Sequence, residues 1–156
     1  MKLRIALLLA TVVLLFALLG VGAYVTAGNY GAACGVGTSS DWPECNGNLF
    51  PPLVFGAIVE YTHRVLASLS GLFMVLTAVT FWRAKDAGKT SKRLVLLALV
   101  SIIVEIFVGG AVVDSSLSPL VVTLHQMIAV LVFGFTVGAA ATALASRPTP
   151  TPAPVV

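Results

Sequence analysis

Basic residues sit at the ends of four long apolar runs, and that arrangement leaves one class of fold open to this chain. The runs cover about residues 5–27, 53–82, 94–113 and 119–146, and one helical crossing of a bilayer needs roughly 20 residues. Within hydrocarbon the backbone N–H and C=O groups must pair inside their own segment, so such runs are helices. Hydrophobic residues make up 58% of the chain and charged residues 10%, where soluble domains carry about 25% charged. The expectation is an all-α integral membrane protein: one four-transmembrane-helix bundle over residues 1–146. Residues 147–156, mostly Pro and Thr, read as a disordered tail.

The charges set the topology. Lys2 and Arg4 precede the first run, Arg83, Lys85, Lys89, Lys92 and Arg93 separate the second from the third, and Arg147 follows the fourth. Residues 28–52 carry no basic residue. The positive-inside rule then makes both termini cytoplasmic and places residues 28–52 outside a cell membrane. A cleavable signal peptide is the alternative for the first run, but its apolar part exceeds the roughly 7–15 residues of a signal core. A retained first span is expected. The net charge of +3 reflects this topology. No interleaving of basic and aromatic residues marks a nucleic-acid partner, and membrane lipid is the surrounding medium. The second run, about 30 residues or ~45 Å of helix, exceeds the hydrocarbon thickness and should tilt or protrude. Pro51 and Pro52 suit its first turn.

Inside that second run lies Glu60-Tyr61-Thr62-His63-Arg64. Ionisable groups at membrane depth are costly and read as functional. Spacings of three and four put Glu60, His63 and Arg64 on one helix face. His63 falls ~15 Å along its helix and His125 ~9 Å along the fourth. Glu105 is about eight residues from the outer end of the third run. The buried ionisable groups therefore share one slab on the external side. Two imidazoles at matched depth suit an axial pair on haem iron, while a zinc site would want three or four ligands. Helix packing is the plain alternative for either histidine alone. Neighbouring helices lie about 8–10 Å apart, tight for a porphyrin, so ligating helices opposed across the bundle are expected. Gly109-Gly110-Ala111, Ser68, Ser70 and Gly71 leave room for a flat ligand or for close helix contact.

Taken together, Asp41-Trp42-Pro43-Glu44-Cys45-Asn46-Gly47, Pro51-Pro52 and Glu60-Tyr61-Thr62-His63-Arg64 resemble the first half of haem A synthase. Gly109-Gly110-Ala111, Leu117-Ser118-Pro119 and His125 look like the third and fourth helices of the same half. Familiar members of that family have eight spans in two four-helix halves, and this chain resembles one half. The resemblance implies oxidation of the ring-position-8 methyl of haem O to a formyl group, with haem b as cofactor. It implies His63 and His125 as axial ligands and Glu60 as the catalytic carboxylate. Arg64 would hold a haem propionate or pair with Glu60. Cys34 and Cys45 would be the external cysteine pair, read on the oxidising side as a structural disulfide, with a redox-active thiol pair as the other reading.

Two departures from the family pattern stand out: Cys34 and Cys45 are wider apart than usual, and Glu105 takes the place of an amide. A single histidine pair implies a homo-oligomer, a dimer in preference to a trimer. Haem O synthase and a quinol or ferredoxin donor are the other candidate partners. The rival readings are a bis-histidine haem b electron carrier, a quinone-linked thiol oxidase and a purely structural oxidase-assembly subunit. The thiol oxidase normally needs a Cys-x-x-Cys pair and a second pair, and the structural subunit leaves the Glu60–Arg64 stretch unexplained.

Overall fold

The computed structural model describes residues 2–35 and 44–146. Four helices carry the chain: α1 (Lys2–Ala27), α2 (Phe55–Arg83), α3 (Lys89–Asp114) and α4 (Pro119–Ala145). All four are long and apolar enough to cross a membrane, as their hydropathy required. Asp41, Trp42, Pro43, Arg147 and the Pro-rich tail, expected to be disordered, lie outside the described residues.

The third helix starts at Lys89, a turn before its apolar run. Hydropathy marks where a helix meets lipid, whereas the helix itself continues through residues of good helical propensity. Ser91 in this added turn is buried, and its hydroxyl lies 3.0 Å from that of Thr142 on α4.

Helices adjacent in sequence are adjacent in space, and the ring closes through α1 against α4. The diagonal pairs, α1 with α3 and α2 with α4, make no backbone approach among the described residues. Chain order in a four-helix ring therefore places His63 and His125 on opposed helices.

The interior is filled from the basic end upward. Leu8, Phe81, Val95, Ala139 and Ala140 form one buried layer, and Leu15, Met74, Ala98, Ile102 and Val132 the next. Between lipid-embedded helices the drive is close packing and interhelical hydrogen bonding rather than escape from water. The alanines in both layers serve the first. The buried Thr11–Thr77 hydroxyl pair, 3.0 Å apart, serves the second, and such bonds average about 0.6 kcal/mol. At the basic end Arg4 makes two hydrogen bonds to Asp86, at 2.9 and 3.0 Å, and lies over the Phe81 ring. Those bonds hold the exposed Asp86 carboxyl at about 2, below the usual carboxylate range.

The opposite end is built differently. No residue of α3 beyond Ile102, and none of α4 before Val132, is fully buried. The side chains of α3 and α4 are less completely buried over this half of the bundle than over the other. α1 and α3 both stop here by the same device. Asn29 and Ser116 adopt φ of 55° and 52°, and the following N–H groups, of Tyr30 and Leu117, return to the carbonyls of Val25 and Val112 at 2.9 Å. This is a Schellman C-cap, which an asparagine or a small polar residue in the left-handed region allows. Tyr30 then packs edge-on to Phe55 and beside Tyr24, an aromatic girdle of the kind found where helices leave the hydrocarbon.

Above this end Cys34 and Cys45 form a disulfide. It closes a loop of about a dozen residues, for which chain entropy gives roughly 3 kcal/mol.

Candidate functional site

The charged stretch on α2 divides into two functions. Ala57, Glu60, Tyr61 and Arg64 follow the i, i+3, i+4, i+7 spacing of one helix face, and all four meet the disulfide loop. Ala57 packs with the two cysteines, and Tyr61 packs against the same cluster. The Tyr61 hydroxyl donates to the Leu49 carbonyl at 2.8 Å. Arg64 donates through Nη1 to the Glu44 carbonyl and through Nη2 to Glu60 Oε1, both at 2.6 Å. The second Glu60 oxygen accepts the Cys34 N–H at 2.7 Å. Glu60 is 4% and Arg64 7% exposed, so each buried charge has its countercharge and its remaining hydrogen bonds. A buried pair is tolerable only on those terms. Of the two partners weighed for Arg64, the structure shows Glu60.

His63 turns away from that face. Its ring lies on Gly22 of α1, where a Cβ would stand 2.9 Å from Cε1. At that distance no side chain fits beside the imidazole. His125 on α4 has the matching seat on α3: a Cβ on Gly109 would stand 3.2 Å from its Cε1. Each histidine is thus cradled by a glycine on the helix next to its own. His63 Nδ1 and His125 Nδ1 are both buried without a hydrogen-bond partner.

Depth agrees with this pairing. α2 opens at Phe55 and α4 at Pro119, so His63 lies ~12 Å and His125 ~9 Å along helices that begin at the same end of the bundle. Both fall in the half of the bundle where α3 and α4 have no fully buried residue.

Glu105 on α3 enters the same slab. Its Oε1 lies 2.9 Å from His125 Nδ1. The ring N–H does not point at the oxygen, however, and no hydrogen bond closes; Glu105 Oε2 is likewise buried and unpartnered. Of the small residues noted in the sequence, Gly109 meets a histidine, whereas Gly71 and Gly110 face open space. Ser68 bonds back to the Arg64 carbonyl, and Ser70 is buried with no partner for its hydroxyl.

Two contributors escaped the sequence reading. Gly22 is one of two glycines in the first run, and only the packing of α1 on α2 singles it out; its depth, a turn and a half from the helix end, was the available signal. Tyr61 lay in plain view, but its partner is a loop carbonyl. Gln126 adds a third link at this depth, donating to the Thr26 hydroxyl of α1 at 3.2 Å.

The arrangement can hold a planar metal ligand between two imidazoles. Among the described residues no group of three or more His, Cys, Asp or Glu is placed to hold a bare metal ion, so a caged zinc gains no support. Haem fits the residues present. The donors are two imidazoles from opposed helices, each lying on a bare glycine and each with a buried Nδ1 that has no hydrogen-bond partner.

Comparison with known proteins points the same way. The COX15-CtaA family, described as cytochrome oxidase assembly protein, matches residues 52–155. The chain is 32% identical over 126 residues to a heme A synthase of Bacillus licheniformis, covering 81% of this chain and 40% of that protein. It is 35% identical over 133 residues to a heme A synthase of Symbiobacterium thermophilum, covering 85% and 42%. A heme A synthase of Bacillus pumilus is 30% identical over 132 residues, covering 84% and 41%. This chain therefore spans about two fifths of the length of the relatives it matches. No solved structure matches it. With α2, α3 and α4, the loop-anchoring Glu60–Arg64 pair and both histidines inside the matched residues, the chain belongs to the COX15-CtaA family, that of the haem A synthases.

Proposed function

We propose that this protein holds haem between His63 and His125 and takes part in converting haem O to haem A. The reaction oxidises the ring-position-8 methyl to a formyl group by two successive oxygenations and loss of water. One observation carries the reading: imidazoles from diagonal helices lie toward the same end of the bundle, each seated on a glycine.

Haem b bound there supplies the redox-active iron for the oxygen chemistry. The chain's own residues do the rest. Gly22 and Gly109 let the rings lie directly against α1 and α3, which fixes where each imidazole sits. Glu60, one turn from His63, is the carboxylate assigned to proton transfer or to stabilising charge on the reacting carbon. Arg64 acts through Glu60, holding Oε1 while the Cys34 N–H holds Oε2, so the carboxyl cannot rotate freely. Glu60, Tyr61 and Arg64 also tie the residues on either side of the disulfide to α2, through Cys34, Glu44 and Leu49.

In the proposed orientation both termini are cytoplasmic and the loop is external, since the basic residues cluster at the opposite end. A second copy of the chain supplies a second histidine pair, so that substrate and cofactor haems have separate sites. Haem O synthase as donor of substrate, and a quinol or ferredoxin as electron source, complete the proposed set of partners.

The test is to express the chain in cells with and without haem O, extract the haem that co-purifies, and weigh it. Hydroxylated or formyl haem in the first case only is the expected result. Unmodified haem b in both would support the second reading, a bis-histidine electron carrier. One observation favours that reading: both Glu60 oxygens are already engaged.

Gly22→Ala offers a separate check on the histidine seat. The added methyl forces the His63 ring aside at a cost of about 1–3 kcal/mol, which in haem affinity is roughly tenfold for each 1.4 kcal/mol. Gly20→Ala, with nothing within 4 Å of the new Cβ, should leave haem content per protein unchanged.

A further inference from the structure

We infer that Glu105 is a positioning residue for His125, and that it makes the two axial histidines unequal. The inference rests on the reading of His125 as a haem ligand.

Glu105 and Gly109 lie one helical turn apart on α3 and so share a face, and both meet the His125 ring. Gly109 lies against Cε1, and Glu105 Oε1 comes to 2.9 Å from Nδ1. An acid inside an apolar span is costly unless it has a partner. Among the described residues His125 is the only recorded partner of Glu105. Nδ1 of the one and Oε2 of the other are both buried without a hydrogen bond. The 2.9 Å approach of Nδ1 to Oε1 already brings ring and carboxyl within hydrogen-bonding distance, so reorienting either one lets them pair. A hydrogen bond from Nδ1–H to the carboxyl fixes the tautomer, directs Nε2 toward the iron and raises the donor strength of the ring.

His63 has the same glycine seat and no such acid. Its Nδ1 is buried and has no acceptor. The charged groups next to it on its helix, Glu60 and Arg64, are turned to each other and to the loop. His125 is therefore the firmly held, strongly donating ligand and His63 the weaker one. A stronger donor favours ferric over ferrous iron, so Glu105 lowers the reduction potential of the bound haem.

The experiment uses the full chain in detergent, reconstituted with iron protoporphyrin IX, as wild type, Glu105→Gln and Glu105→Leu, with His125→Ala as control. The readouts are haem affinity, the optical midpoint potential and the low-spin ferric electron paramagnetic resonance spectrum. Helix content and thermal unfolding establish that each variant is folded; the leucine variant removes a buried acid and should span the membrane at least as well. Haem affinity should fall about 10–100-fold in Glu105→Leu. The potential should rise by about 59 mV for each tenfold loss of ferric preference. Glu105→Gln, which keeps an acceptor but not the charge, should lie between. Unchanged potential and g values in a folded Glu105→Leu protein that binds haem would overturn the positioning role while leaving the haem site standing. A wild type lacking the bis-imidazole spectrum, or a His125→Ala protein retaining it, would remove the axial reading itself, and this inference with it.

Discussion

Glu60→Gln should leave haem bound while formyl haem production falls about 10²–10⁴-fold, the range for loss of a positioned acid–base group. The measurement is product haem per bound haem in membranes supplied with haem O, and activity within a few-fold of wild type would remove Glu60 from the chemistry. The structure adds a consequence for stability. Glu60 is the countercharge of a 7%-exposed guanidinium, and removing one member of a buried pair typically costs about 3–5 kcal/mol. Arg64→Met should therefore lower the unfolding temperature sharply and loosen the disulfide loop, since the Glu44 carbonyl loses its donor as well. Removing both charges together, as Glu60→Gln with Arg64→Met, should recover part of that loss, because no unpaired charge then remains. Recovered stability without recovered conversion would separate the structural role of the pair from its chemical one.

His63→Ala and His125→Ala should each abolish the low-spin bis-imidazole spectrum and reduce haem affinity beyond the 10–100-fold typical of groups that merely support a ligand. Haem content per protein after purification, by pyridine haemochrome, gives the number. Neither substitution should disturb the helices, because neither ring takes part in the buried layers around Leu8 or Met74. If either variant purified with wild-type haem content, the histidine pair would not be the site.

Several features could be read from the residues directly. Span number, helix type and the depth of His63, His125 and Glu105 follow from hydropathy and the rise per residue, which are local properties. The opposition of α2 and α4 needed only one further step, since short connections make sequence neighbours into spatial neighbours. The grouping of Glu60, His63 and Arg64 on a single face was too coarse. His63 sits about 60° round the helix from Glu60 on one side and Arg64 about 40° on the other. That difference sends the histidine to α1 and the charged pair to the loop. The start of α3 at Lys89 was likewise invisible to hydropathy, which responds to lipid contact and not to backbone bonding.

Four apolar helices, with the basic residues massed at one end and the imidazoles near the other, follow from the residues alone. Polar backbone in hydrocarbon has no other way to be satisfied, and each residue's depth is counted along a rigid rod. Only the tertiary structure decided which glycine faces which histidine, that Arg64 answers Glu60, and that Glu105 reaches His125 while His63 Nδ1 goes without. Those are contacts between helices, set by rotation about each axis, and rotation is chosen by packing against neighbours that no local pattern encodes.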